Sequence, residues 1–242
     1  MLIMDKRIKQ IVSGLTDFFK EAGFKKAVVG LSGGIDSALV AKLAEMALGK
    51  DNVMALLMPN KGTSSDHSLQ DAIAFAEELG IKYRVISIHD YVDRYQKLPW
   101  EENVVTAMNI QARIRMTILY HYANSHNALV LGTGNKTEET LGYFTKYGDG
   151  GVDVLPIGGL YKTEVWKIAK ELKLPKAIIE KTPSAELKPG QSDEGEIGMS
   201  YAEIDKILQK FEDGGEPESD TEYKIYTRIS TNRHKSQMPP VI

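Results

Sequence analysis

Apolar residues recur along the chain in two periods, and the switches between them predict its elements. Ile8, Ile11, Val12, Leu15, Phe18 and Phe19 are spaced by one, three or four positions. That is the buried stripe of an opening amphipathic helix ending near Gly23. Short continuous apolar runs follow at 26–30, 53–58, 83–88 and 127–131 and read as buried strands, the second stopped by Pro59. Between them 38–48, 64–79 and 109–124 read as helices. Gly49 and Gly80 close the first two, and the third extends back toward Glu101. Strands alternating with helices, most of them short continuous apolar runs, predict a doubly wound, Rossmann-like α/β fold: a parallel sheet covered on both faces.

The last third has a different texture. Residues 152–157 predict one more short strand, and 163–172 and 201–211 predict helices. The stretch 182–198 is rich in Pro, Gly, Ser and charge and reads as a mobile loop. An acidic turn at 212–222 precedes a tail that regains positive charge at Arg228, Arg233, His234 and Lys235. The 242 residues therefore read as one domain. A nucleotide-binding core spans about 24–175, and a C-terminal loop, helix and tail extend over 176–242.

Composition narrows the chemistry. Lys plus Arg is 30 and Asp plus Glu is 33, a formal net charge of −3. A non-specific nucleic-acid binder would need a basic surface. The chain has no Cys, which excludes disulfides, thiolate-ligated metals and thiol catalysis. Its five His residues show neither HxxxH nor HExxH spacing, so a zinc site is not expected. No stretch approaches the roughly 20 apolar residues of a membrane helix, and the first residues lack a signal-peptide core. The expected location is the cytoplasm, with no membrane partner.

The densest local signal is Gly30-Leu31-Ser32-Gly33-Gly34-Ile35-Asp36-Ser37, where the first strand hands over to a helix. Gly33 and Gly34 lack Cβ atoms, so backbone N–H groups can approach phosphate oxygens. The following helix offers unpaired donors and a favourable dipole. Asp36 would repel a bare phosphate and makes sense as a Mg²⁺ ligand. The loop is neither GxxxxGK[ST] nor GxGxxG. Its SGGxDS spacing resembles the PP-loop of the ATP-pyrophosphatases, which cleave ATP between the α and β phosphates. That resemblance implies an adenine-nucleotide alpha-hydrolase-like fold.

Further segments sharpen the likeness: Asn109-Ile-Gln-Ala-Arg-Ile-Arg-Met116, Leu131-Gly-Thr-Gly-Asn-Lys-Thr-Glu138, Phe144-Thr-Lys-Tyr-Gly-Asp-Gly-Gly151, and His234-Lys235 before Pro239-Pro240. In this order they resemble the ammonia-dependent NAD synthetases, from about Gly30 to the tail. The resemblance implies that ATP activates the carboxylate of deamido-NAD as an acyl adenylate and that ammonia then displaces AMP. It implies a homodimer with deamido-NAD near the subunit interface. By the same resemblance, 30–37 with Thr133, Lys162 and Ser184 contact ATP. Asp36 and Glu138 hold Mg²⁺, and Arg113, Lys146, Asp153, His234 and Lys235 contact deamido-NAD. Asp149 matches a residue that orients or deprotonates ammonia. Ser184 stands where many relatives carry Thr.

The residue types suit that chemistry independently. Attack of a carboxylate on the α-phosphorus gathers anions that Mg²⁺ and basic side chains must neutralise. Lys162 suits the charge that develops at the α-phosphate, and Tyr143 or Phe144 could stack on the pyridine ring. Each residue also has a plainer reading. Lys146 and Lys162 could be solvated, Thr133 could cap the helix near Lys136, and Asp149 could be a turn residue. Two other functions compete: another PP-loop ligase, or a non-catalytic adenine-nucleotide module.

Overall fold

The computed structural model describes residues 2–188 and 190–242, with side chains from Lys6 onward. Four strands, β1 (Lys26–Gly30), β2 (Val53–Leu57), β3 (Lys82–Val85) and β4 (Ala128–Leu131), pair in parallel in the order β3-β2-β1-β4. The register sets Val29 between Ala55 and Leu131. Alternate residues of each strand point to opposite faces. Ala27, Val29, Val53, Ala55, Leu57 and Leu131 pack under α1 (Leu2–Ala22), α2 (Ile35–Leu48) and α3 (Asp66–Leu79). Val28, Leu56 and Val130 pack under α4 (His89–Tyr95) and α5 (Val104–His126). Both faces of β1, β2 and β4 are thus covered, which is why those strands read as apolar runs, whereas β3 at the sheet edge is largely exposed.

The chain steps from β1 outward through β2 to β3, then returns to lay β4 on the other side of β1. The carboxyl end of β1 therefore lies at a topological switch point, the usual ligand crevice of an open α/β sheet. The remaining helices are α6 (Lys136–Leu141), α7 (Lys162–Glu171), α8 (Lys176–Ile179), α9 (Asp193–Ile197), α10 (Tyr201–Glu212) and α11 (Asp220–Asn232). A third apolar cluster, built on Leu141, Tyr161, Tyr201, Ile204, Leu208 and Ile225, joins α6 to α10 and α11. Through it the C-terminal extension packs onto the core.

Several expected boundaries change. The strand expected over 83–88 stops at Val85, and α4 follows it without a clear sequence signal. The strand expected over 152–157 is a single bridge, Leu131 to Val154. Pro156 has no N–H to extend it, and the chain turns at once, with Gly158 N–H donating to Leu155 O at 3.1 Å. The loop expected over 182–198 holds the short helix α9, started by the Ser192 cap on Gly195 N–H; Pro189 of that stretch lies outside the described residues. The acidic turn ends earlier than expected, because Ser219 caps α11 through Glu222 N–H. The expected cap role of Thr133 belongs to Asn135, which forms a reciprocal capping box with Glu138 at the start of α6.

Candidate active site

The loop after β1 keeps its own hydroxyls busy. Ser32 and Ser37 Oγ lie 3.0 Å apart, Ser37 Oγ donates to Gly34 O at 3.0 Å, and Gly34 N–H donates to Ser32 Oγ at 3.2 Å. Gly34 is the N-cap of α2 and offers no side chain to its first turn. The first N–H groups of α2 are therefore left for an external anion. Gly33 has φ +80°, and a Cβ there would lie 2.3 Å from Ser68 O. Only glycine lets the loop pass this close to the start of α3.

Asp36, in the first turn of α2, points across the switch point. It accepts from Asn135 Nδ2 at 2.9 Å and from Lys162 Nζ at 2.5 Å. Lys162 also reaches Glu138 Oε1 at 3.1 Å. Lys162 is 1% exposed, so the solvated reading of this residue is wrong. Its position is fixed from below. Its N–H donates to Thr137 Oγ1 at 2.9 Å, and buried Asp205 accepts from Thr163 N–H at 2.8 Å and Thr137 Oγ1 at 2.5 Å. Above it, Nζ lies 5.0 Å from the centre of the Tyr201 ring, whose hydroxyl donates to Asp193 Oδ2 at 2.9 Å.

One ammonium thus pairs with two carboxylates, and a third, Asp193, adds to the negative charge around it. Burial works against the Lys162 charge, but Asp36 and Glu138 more than offset it and hold the group well above its ordinary value. Glu138 moves upward too, to about 7: burial dominates, Lys162 opposes it, and Asp36 and Asp193 add to it. Lys162 shifts up because two carboxylates surround it, and Glu138 chiefly because it is buried, with the neighbouring acids adding to the effect. The surplus negative charge suits a further cation. Among the described residues, no three His, Asp or Glu side chains converge as a ready metal cage. Mg²⁺ commonly takes one or two carboxylates and completes its shell with phosphate and water. Asp36 and Glu138 fit a cation that arrives with a polyphosphate, not one bound in its absence.

These groups border a cavity of about 710 Å³. Gly30, Leu31, Ser32, Gly34, Ile35, Asp36 and Ser37 line it, together with Thr133, Glu138, Lys162 and Ser184. Tyr143, Phe144, Asp149 and Lys235 line it as well. Asp149 accepts from Thr145 N–H at 3.0 Å, as a turn residue does, yet opens to the cavity. The surrounding protein pushes its carboxyl upward, against the Thr145 bond and the Lys235 charge, and its access to solvent limits that effect. Tyr143 donates to Glu196 at 2.7 Å. Lys235 donates to Gly142 O at 2.7 Å and Phe144 O at 2.9 Å.

Arg113, Lys146, Asp153 and His234 do not border this cavity. Arg113, Lys146 and His234 are linked to one another, whereas Asp153 is held separately. Arg113 donates to Lys146 O at 3.4 Å, and Lys146 Nζ donates to His234 O at 2.6 Å. Asp153 accepts from Val130 N–H at 2.7 Å and Tyr120 O–H at 3.0 Å. Sequence reasoning missed Asn135, Asp193, Tyr201 and Arg115. The first was signalled by the Asn-x-x-Glu capping pattern; the others had no local signal. Arg115 donates to Met58 O at 3.0 Å in the cavity wall, where burial lowers its pKa to about 10. Glu186, from the stretch 182–198, accepts from Ser65 N–H at 3.2 Å and pairs with Lys181 at 3.3 Å, so that stretch contacts the start of α3.

A family model described as NAD synthase matches residues 7–239. An NH(3)-dependent NAD(+) synthetase of Archaeoglobus fulgidus is 47% identical over 96% of each chain. Among solved structures, an NMN synthetase from Francisella tularensis matches with TM-score 0.89 and 36% identity, covering 99% of this chain and 98% of that one. An NH3-dependent NAD synthetase from Campylobacter jejuni matches with TM-score 0.86 and 35% identity over the same shares. No helix among the described residues is long and apolar enough to cross a membrane.

Proposed function

This chain belongs to the NAD synthase family, and on that premise we propose how its residues carry out the ATP-dependent amidation of deamido-NAD by ammonia to NAD, with release of AMP and pyrophosphate. The observation that carries the reading is the buried Lys162 ammonium joining Asp36 of the phosphate loop to Glu138 of α6.

The uncapped start of α2 receives the β and γ phosphates of ATP. Asp36 and Glu138 are the residues that would hold Mg²⁺, which when bound would supply positive charge against the negative charge that builds up in the transition state. Lys162 is released from part of its carboxylate pairing as ATP arrives, and its ammonium turns to the α-phosphate oxygens. There it stabilises the charge that grows when the acceptor carboxylate attacks. Thr133 and Ser184 border the ATP end of the cavity. Asp149 faces the acyl carbon and orients ammonia, taking a proton as the amide forms. Lys235 and the Tyr143–Phe144 pair border the pyridine end.

Arg113, Lys146, Asp153 and His234 form a surface set outside the single-chain cavity. Such a set suits the distal part of a dinucleotide held between two copies, the basis on which we propose a homodimer. Light scattering at assay concentration should give twice the chain mass; a monomer that turns over at full rate would remove the partner from the site.

The likeness to an NMN synthetase supports a second acceptor, the mononucleotide acid. One assay tests all of this. The chain is supplied with ATP, Mg²⁺, ammonium and either deamido-NAD or nicotinate mononucleotide. NAD, AMP and pyrophosphate in equal amounts are expected from the first. ADP in place of AMP, or no amide from either acceptor, would reject the proposal, whereas amide from the mononucleotide alone would reassign the acceptor.

A further inference from the structure

A cationic side chain of the cavity, Arg228, has no part in the reaction as described. Arg228, from α11, lines the cavity beside Tyr143, Asn232 and Lys235. Its guanidinium lies 5.3 Å from the centre of the Tyr143 ring. Among the described residues it has no ion pair and no hydrogen bond, and its Nε is buried without a partner. Burial lowers the Lys235 pKa, the Asp149 charge opposes that, and the nearby Arg228 charge adds to the lowering. Lys235 is already turned to two backbone carbonyls, while Arg228 is not turned to any group.

A buried guanidinium N–H without an acceptor is costly, and an unpaired cation beside a second cation is costlier. Acids are close at hand. Asp193 and Glu196 are tied up by the Tyr143 hydroxyl on the far edge of the ring that Arg228 covers. The guanidinium lies over the Tyr143 ring with no hydrogen-bond acceptor among the described residues, and a guanidinium matches a planar, bidentate acceptor such as a carboxylate.

We propose that Arg228 binds the pyridine carboxylate of the acceptor and thereby distinguishes the acid substrate from the amide product. A carboxylate offers two anionic oxygens to the fork. The carboxamide offers one neutral oxygen and presents an N–H₂ to a group that cannot accept. Arg228 then does two things: it seats the substrate and it weakens retention of the product. The inference rests on the acceptor being a pyridine carboxylate.

The test compares affinities, not turnover alone. On the unaltered chain, calorimetry should find deamido-NAD bound at least about tenfold more tightly than NAD, the worth of one charge-assisted pair. Arg228→Gln should weaken deamido-NAD about tenfold or more and NAD less than about twofold, so that the preference collapses. Arg228→Lys, which keeps charge but not the fork, should fall between. Equal weakening of both ligands would make Arg228 a structural residue, and an unchanged preference would overturn the proposal. If Arg228→Gln does not fold, the unaltered chain and Arg228→Lys decide the matter alone. NAD formation by the unaltered chain with no such preference sinks only this inference, whereas no NAD formation sinks the reading of the reaction.

Discussion

Lys162→Met is expected to lower kcat by two to three orders of magnitude while leaving the fold intact. Methionine is close to lysine in length and tolerates an irregular buried slot. What it removes is the charge. Preorganised donors aimed at developing negative charge are commonly worth roughly 10²- to 10³-fold each. Lys162 meets the condition for that value: it is 1% exposed, clamped by Thr137 and Asp205 from below and by the Tyr201 ring from above. It needs little reorganisation when the reaction begins. The KM for ammonium should move little, since Lys162 acts before ammonia attacks. Pyrophosphate exchange into ATP, dependent on deamido-NAD, isolates that earlier step, and it should fall by the same factor as kcat. An exchange rate near that of the unaltered chain would place Lys162 outside the adenylation step.

Local chemistry was legible in the sequence, and long-range geometry was not. The phosphate loop could be read because its parts are contiguous: two glycines, two hydroxyls and an acid at one strand–helix junction. Strands β1, β2 and β4 could be read because both their faces are covered, which leaves apolar runs, whereas the edge strand β3 is largely exposed. The link from Asp36 to Lys162 joins residues 126 positions apart, and no spacing rule reaches that far. Lys162 alone looks like any helix-terminal lysine; its burial comes from α10 packing over it. The helix α11 was hidden for a related reason. Only Ile225 is fully buried in it, so its apolar stripe is too narrow to stand out against Asp220, Glu222 and Lys224. Asp153 shows how one residue can carry two readings. It resembles a dinucleotide contact, and in this fold its carboxylate also accepts the Val130 N–H beside the lone bridge to Val154.

The second large effect belongs to Asp36. Asp36→Ala should cut kcat/KM for ATP by about three orders of magnitude, about 4 kcal/mol of transition-state stabilisation, and abolish the response to Mg²⁺. The fold should survive, because Asp36 is not part of the apolar core and its removal leaves Lys162 paired with Glu138. The Asn135 amide loses an acceptor at 2.9 Å, a cost of the order of 1 kcal/mol that melting can register separately. The decisive measurement is the ligand-induced rise in melting temperature. Ligand at about 100 times its Kd stabilises the native chain by about 2.7 kcal/mol. In the unaltered chain, ATP with Mg²⁺ should therefore raise the melting point well above ATP with chelator. In Asp36→Ala the two conditions should coincide, since Glu138 alone offers a single carboxylate still bound to Lys162. A variant that retains the Mg²⁺-dependent rise would take the metal away from Asp36 and leave it only the task of holding Lys162. A variant that loses the rise yet keeps its uncomplexed fold would tie Asp36, in the first turn of the helix after β1, to the cation that ATP brings.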